Sequence, residues 1–410
     1  MSVDGGELGP VEVLGAPLGL PCGLVLKNRI VKAAMSDSLG DGTGDPSAAQ
    51  VELYRRWAQG GAALLLVGEV QVDPAYPERP GNLVLHPGSD DERLRQLALA
   101  GAESGAHTWV QLGHAGALAW SPISSAAGPS ELHIDGLHCG ELPLAAVEAL
   151  PQVYARAARH AQSVGFSGVE VHAGHGFLLS QFLSPLFNHR TDRYGGSIEH
   201  RSRILVEIVK QIRVEVGPSF GIGVKINTSD QLAGGLTEDE ALVVVSLLGD
   251  EAIDLLDLSG GTYFPGAEAS SEKRSSGPYF LDFARQAREV TNTPLVVTGG
   301  FKFRDEATQA VSSGTADLVG LARTMALDPE MPAKWLQSAG GDPPFPRFDA
   351  PPPGGITAWF TMRLTALANH EETTFDLTPR QAIDANESRD AARIPTWQRK
   401  HGICVIEEES

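Results

Sequence analysis

Two histidines, His172 and His175, stand three positions apart in the stretch VEVHAGHGF. In the short run that His172 closes, Val169 and Val171 would point to one side and Glu170 and His172 to the other. Ala173-Gly174 then breaks the run before His175. A polar strand end beside a glycine break is poor material for a core and good material for a site. Imidazoles can donate hydrogen bonds, exchange a proton or ligate a metal. The plainer alternative is a pair of ordinary hydrogen-bonded side chains. For a metal, no third ligand stands at a suitable spacing.

Two further runs carry inward polar groups. In TWVQLGH, Trp109, Gln111 and Gly113 share one face, opposite Val110 and Leu112. In GIGVKIN, Lys225 and Asn227 share a face opposite Ile222, Val224 and Ile226. If the branched residues pack outward, then Gln111, Glu170, His172 and Lys225 converge. A buried unpaired charge costs roughly several kcal/mol, so Lys225 needs a partner. An ion pair with Glu170 is the structural alternative. A polar, electron-rich cofactor is the functional one.

Near the end of the chain, VVTGG places Gly299 and Gly300 after an apolar run, and DLVGLAR places Ala322 and Arg323 after the next. Glycines admit backbone N–H groups close to a phosphate, and arginine adds a fixed, forked charge. No GxGxxG follows a strand and no GxxxxGK[ST] occurs, which argues against a Rossmann dinucleotide domain and a P-loop.

These residues need a scaffold that gathers them at one end. Short apolar runs, predicted as strands, fall at Arg29–Met35, Ala62–Gly68, His107–Gly113, Gly168–His172, Gly221–Asn227, Ile253–Ser259, Pro294–Gly299 and Asp317–Gly320. Helical periodicity lies between them at Ala48–Gln59, Asp90–Ser104, Pro151–Val164, Glu199–Val216, Glu238–Gly249, Tyr279–Thr291 and Asp305–Ser313. Repeated strand-then-helix units predict a single α/β (β/α)8 TIM barrel with its chemistry at the C-terminal strand ends. The loops after its last two strands are the recurring phosphate site. Residues 1–10 are expected to be flexible and 11–341 to form the barrel. A hairpin of Val11–Leu14 with Gly23–Leu26 is expected to plug the barrel floor. Residues 342–353, DPPFPRFDAPPP, read as a proline-rich linker, and 354–410 as a C-terminal appendage with a helix over Thr357–Asn369.

The 410 residues carry a net charge of −19, with 51 acidic against 32 basic side chains. Such a surface argues against nucleic-acid and anionic-membrane partners. Three scattered cysteines, Cys22, Cys139 and Cys404, form no CxxC and fit a reducing cytoplasm. MSVDGGELGP has neither the basic cluster nor the apolar run of a signal peptide, and no run is long enough to span a membrane.

The segments KNRIVKAAMSD, VQLGHAG, VEVHAGHGFLLSQFLSPLFNHRTDRYGGS, DLSGGTY, VVTGGF and DLVGLAR, in that order, resemble the old yellow enzyme family of FMN-dependent NAD(P)H oxidoreductases. The resemblance runs from Asn28 to Pro329, and NHRTDRYGGS is its most specific part. It implies that Ala33, Ala34, Met35 and Ser36 lie against the FMN ring, and that Gln111 bonds its pyrimidine edge. Lys225 would stand near N1 and C2=O, and Gly299, Gly300, Ala322 and Arg323 would hold the phosphate. Ala322 departs from the commoner glycine before this arginine. His172 and His175 match the pair that binds an enone carbonyl oxygen, polarising the alkene for hydride attack at its β-carbon.

One departure matters. The family's proton-donating tyrosine is here Phe177, which has no proton to give. Tyr263, in SGGTY, is a candidate replacement by position. Reduction of an enone-type small molecule by NADH or NADPH through FMN is the first expectation. The missing tyrosine keeps flavin-dependent desaturation and redox-neutral isomerisation as alternatives. A lyase using Lys225 as a Schiff base and a non-catalytic flavin-binding protein are the remaining ones. Pocket shape would depend on Ala115–Glu141, Leu258–Gly277 and the tail, which is also able to support a homo-oligomeric interface.

Overall fold

The computed structural model describes residues 9–134, 136–249, 253–264, 277–337 and 340–402. Eight parallel strands close on themselves: β1 (Ile30–Lys32), β2 (Leu64–Gln71), β3 (His107–Gly113), β4 (Gly168–Ala173), β5 (Gly221–Asn227), β6 (Leu255–Ser259), β7 (Leu295–Thr298) and β8 (Leu318–Leu321). Each pairs with the next, and closure comes from β8 on β1, where Val319 faces Ile30 and Leu321 faces Lys32. This is the (β/α)8 barrel expected from the alternating pattern. Its strands are buried on both faces, which is why they read as apolar runs.

The intervening helices are α1 (Ala48–Gln59), α2 (Asp91–Gly101), α3 (Leu144–Ser163), α4 (Arg203–Val216), α5 (Glu238–Gly249), α6 (Leu281–Val290) and α7 (Arg304–Ser312). Their apolar faces meet the outward residues Val110, Leu112, Val169, Val171, Ile222 and Val224 in one continuous core. A second cluster fills the barrel floor with Val31, Leu64, Leu66, Trp109, Leu255, Val296 and Leu318. The Trp109 indole reaches across this floor. A Cβ at Gly168 or Gly221 would lie 2.4 or 2.2 Å from its ring, so the neighbouring strands must start with glycine.

The floor is plugged by a hairpin, with one strand different from that expected. Leu18–Gly19 pairs with Val25–Leu26, and Leu20, Cys22 and Leu26 join the floor cluster. Val11–Leu14 instead lies in a helix, Pro10–Gly15, whose proline sits at the favoured first position. Of the terminus expected to be flexible, Gly9 and Pro10 cap and open this helix, and 1–8 lies outside the described residues.

Beyond the barrel run α8 (Gly355–Ala368) and α9 (Pro379–His401). Phe360, Leu364 and Leu367 of α8 join the main core, and Arg56 of α1 ion-pairs with Glu372 at 2.5 Å. In α9, fully buried Trp397 packs with Val84 and Ile123, and Arg393 donates to the Ser38 carbonyl at 2.9 Å. The tail thus lies against the loops that follow β1 and β3. Among the described residues no helix is long and apolar enough to cross a membrane.

Candidate active site

Strand register decides which polar groups meet. His172, Lys225 and Asp257 occupy one row across β4, β5 and β6. Glu170 sits one row lower, beside Gln111 of β3. All of these side chains are buried. Lys225 Nζ makes its ion pair with Asp257. The alternative of an ion pair with Glu170 is not what forms: Glu170 accepts from Gln111 Nε2 at 2.6 Å and only adds its field to Lys225. Burial pushes the Glu170 carboxyl up to about 8, and Lys225 only partly offsets it.

The two histidines stand side by side, ring centroids 5.1 Å apart. His175 adopts a left-handed backbone, φ 59°. That conformation is held from both sides, because its N–H donates to Asn227 Oδ1 at 2.9 Å and its carbonyl accepts from Tyr263 N at 3.0 Å. The turn is tight enough that a Cβ on Gly176 would meet Thr262 Oγ1 at 2.0 Å. The His175 Nε2 lies 2.9 Å from Ser259 Oγ. Neither ring nitrogen of His172 makes a hydrogen bond, although the residue is 1% exposed, and Glu69 Oε1 lies 3.6 Å from Nε2. Burial drives both imidazoles towards the neutral form, with His175 down to about 3, and the Lys225 charge adds to the effect.

Phe177 is buried against Ala115 and Ala119, its ring 5.2 Å from His172 and 5.9 Å from Tyr263. The half-exposed Tyr263 ring lies 5.9 Å from His175. Tyr76, stacked 4.4 Å from His114, closes the other side of the Phe177 pocket.

The remaining expected residues border the same mouth. Ala33 N bonds the Leu321 carbonyl, which extends the β1–β8 pairing by one residue, and Ala34, Met35 and Ser36 follow it. Ser36 Oγ donates to Glu78 at 2.9 Å. Gly299 and Gly300, φ 136° and 85°, follow β7, and Ala322 and Arg323 follow β8 directly, where Thr298 is paired with Gly320. Arg323 also lies 5.9 Å from the Phe360 ring of α8. The part of the pocket expected from residues 265–276 lies outside the described residues.

Sequence reasoning missed Glu69. β2 was expected to stop at Gly68 but continues to Gln71 through a bulge, where three steps on β2 span two on β3. The extra residue turns Glu69 into the barrel with φ 54°, and Gly68 is needed because a Cβ there would strike the Met35 carbonyl at 2.3 Å. A charged residue inside the apolar run LLLVGEV was the available signal. NHRTDRYGGS, by contrast, is a brace. Asn188 binds the Phe182 and Tyr194 carbonyls, and Arg190 binds Asp192 and the Pro129 and Leu142 carbonyls.

The mouth therefore combines unpartnered buried polar atoms on His172, Glu69, Gln71, Glu170, Asp257 and Thr298 with positive-φ glycines after β7. Those mostly accepting atoms on the strands, with backbone N–H groups freed at the glycine turns, fit a flat polar ring carrying a phosphate. A model of the NADH:flavin oxidoreductase / NADH oxidase family matches residues 16–339. The chain belongs to this family. The NADH-dependent flavin oxidoreductase iliE of Hypocrea jecorina is 34% identical over 352 residues, 77% of this chain and 87% of the relative. The iccE protein of Talaromyces variabilis, with the same description, is 31% identical over 405 residues, 87% of this chain and 98% of the relative. A solved 2-naphthoyl-CoA reductase complex superposes with TM-score 0.74 at 28% identity, over 79% of this chain and 52% of that one. Morphinone reductase shares the fold, with TM-score 0.70 at 24% identity, over 81% of this chain and 91% of that one. The old yellow enzyme resemblance is borne out, and the chain is an FMN-dependent NAD(P)H oxidoreductase.

Proposed function

We propose that the enzyme reduces an electron-poor alkene, an α,β-unsaturated carbonyl or a close analogue, at the mouth described above. FMN would supply the chemistry of hydride transfer, taking hydride from NADH or NADPH and passing it on at N5. Ala33–Ser36 would line its ring, and Gln111 would bond its pyrimidine edge. Lys225 would place positive charge beside it, and Gly299, Gly300, Ala322 and Arg323 would receive its phosphate.

One observation carries the substrate reading: His172 is buried with both ring nitrogens unbonded, next to His175. Two neutral imidazoles can each give one N–H to a carbonyl oxygen. For His175 that hydrogen must sit on Nδ1, with Ser259 Oγ donating to Nε2. Negative charge developing on the oxygen would then meet two donors in a water-poor site, which favours hydride attack at the β-carbon. Solved relatives named 2-naphthoyl-CoA reductase and morphinone reductase support a conjugated substrate.

A second reading rests on Phe177. Buried against two alanines, it removes the usual acid from beside the substrate carbon. Desaturation or isomerisation needs no such acid. Anaerobic mixing separates the two. Recovery of the yellow flavin absorbance after NADH reduction, on adding an enone, supports reduction. Bleaching by a saturated ketone without NAD(P)H supports desaturation.

A further inference from the structure

The reduction proposed above leaves an enolate that must gain a proton, and neither Phe177 nor its immediate apolar neighbours can give one. Glu69 stands where a proton source would be useful. The residue is 7% exposed, and its Oε1 lies 3.6 Å from His172 Nε2. No hydrogen bond reaches Oε2. The surrounding ionisable groups are Glu78 after β2, His172 and Glu170 of β4, Lys225 of β5, Tyr154 of α3 and Tyr263 after β6. Lys225, itself paired with Asp257, and the neighbouring Gln71 favour the Glu69 carboxylate, while Glu78 and, less so, Glu170 oppose it. An isolated carboxylate in such a place would be costly, and protonation removes the cost. Burial accordingly raises the Glu69 carboxyl well above the ordinary range, with Glu78 reinforcing it.

We infer that Glu69 is held as the neutral acid, donates to His172 Nε2, and through that ring supplies a proton to the enolate oxygen, so that the product can leave as the enol without the α-carbon proton that the missing tyrosine would have given. The inference rests on the enone reading for its chemistry. A donor at Nε2 fixes His172 as the Nδ1–H tautomer, which directs its only N–H at the substrate oxygen. Hydride adds to the β-carbon, and the enolate oxygen takes the Nδ1 proton. His172 Nε2 takes the proton of Glu69, which becomes a carboxylate. The enol leaves and gains its α-carbon hydrogen in solvent, where its oxygen loses a proton; His172 Nδ1 then takes a proton from solvent and Nε2 returns its own to Glu69, which restores the starting state. Electrons and protons balance: one hydride and one proton enter, and one C=C bond is saturated. Glu69 acts through His172, so it is a positioning and proton-supplying residue rather than one that touches substrate.

The test compares flavin-loaded wild type, Glu69→Gln, Glu69→Asp, Glu69→Leu and Glu69→Gln/Phe177→Tyr with 2-methylcyclohexenone as probe. Infrared difference spectra across a pH titration should show a protonated carboxyl at neutral pH that Glu69→Gln lacks, and nitrogen NMR should show His172 losing its Nδ1–H preference in Glu69→Leu, which leaves Nε2 without a donor, while the amide N–H of Glu69→Gln preserves it. Glu69→Gln should lower kcat about ten-fold or more with little change in KM. Glu69→Asp should recover part of the loss, and Phe177→Tyr should recover it by another route. Wild type should give a racemic α-centre, and the tyrosine variant an enriched one. An ionised Glu69 at neutral pH, an unchanged kcat in Glu69→Gln, or an unchanged His172 tautomer in Glu69→Leu would overturn the inference. If wild type reduces no enone, the proposed function fails instead, while the infrared and NMR readouts still decide the state of Glu69.

Discussion

The Phe177 ring centroid lies 5.2 Å from that of His172, so an apolar side chain occupies the flank of the imidazole from which an acid would serve the substrate carbon. Phe177→Tyr adds one hydroxyl there. It should raise the rate of enone reduction several-fold where proton supply limits turnover, and should impose one configuration at the α-carbon. Single-turnover kinetics and chiral product analysis read both effects.

His172→Ala should slow hydride transfer to an enone by about 10²–10³-fold, the usual cost of losing one donor to a developing oxyanion. His175→Ala should do less, because part of its role is to hold the turn through Asn227 and Tyr263. Transient absorbance of the flavin during enone mixing measures both.

Much of the barrel was legible because its strands are buried on both faces. GIGVKIN and HTWVQLG show this, and their bounds as strands match those expected. α1 was legible for a related reason, since one apolar face and a serine cap announce Ala48–Gln59. Glu69 was hidden because a bulge breaks the two-residue alternation at the point where it faces inward. The Lys225 partner was hidden because register, not composition, puts Asp257 beside it. α9 was not foreseen either. Its buried residues are few, Ala382, Asp390 and Trp397, and it docks largely through polar contacts such as Arg393 to Ser38, which leave no periodic trace.

Lys225 and Asp257 form a buried pair, and removing one partner of such a pair costs about 3–5 kcal/mol. Lys225→Met should lower the unfolding free energy by about that amount in urea. Asp257→Asn in the same chain should return most of it, because the stranded charge is gone.

Glu170 carries a carboxyl raised to about 8 from the usual 4.5, burial being the main cause. A group with a raised folded pKa stabilises fully below its unfolded value and loses that contribution as pH rises through the folded one. Its share of stability should therefore decline from about pH 4.5 to about pH 8. Glu170→Gln should flatten the slope of Tm against pH in that window while keeping a partner for Gln111.

Gly221 abuts the Trp109 ring across the barrel floor, where a Cβ would lie 2.2 Å away. Gly221→Ala should destabilise by about 1–3 kcal/mol through overpacking, and thermal unfolding would show it without any loss of the flavin-facing groups.

The most direct measurement is anaerobic stopped-flow mixing of the NADH-reduced, flavin-loaded enzyme with a panel of enones, nitroalkenes and saturated ketones. The account predicts that electron-poor alkenes restore the yellow absorbance with formation of saturated product, and that His172→Ala largely abolishes this. Failure of every such alkene to reoxidise the flavin, together with bleaching of the oxidised enzyme by saturated ketones, would contradict it.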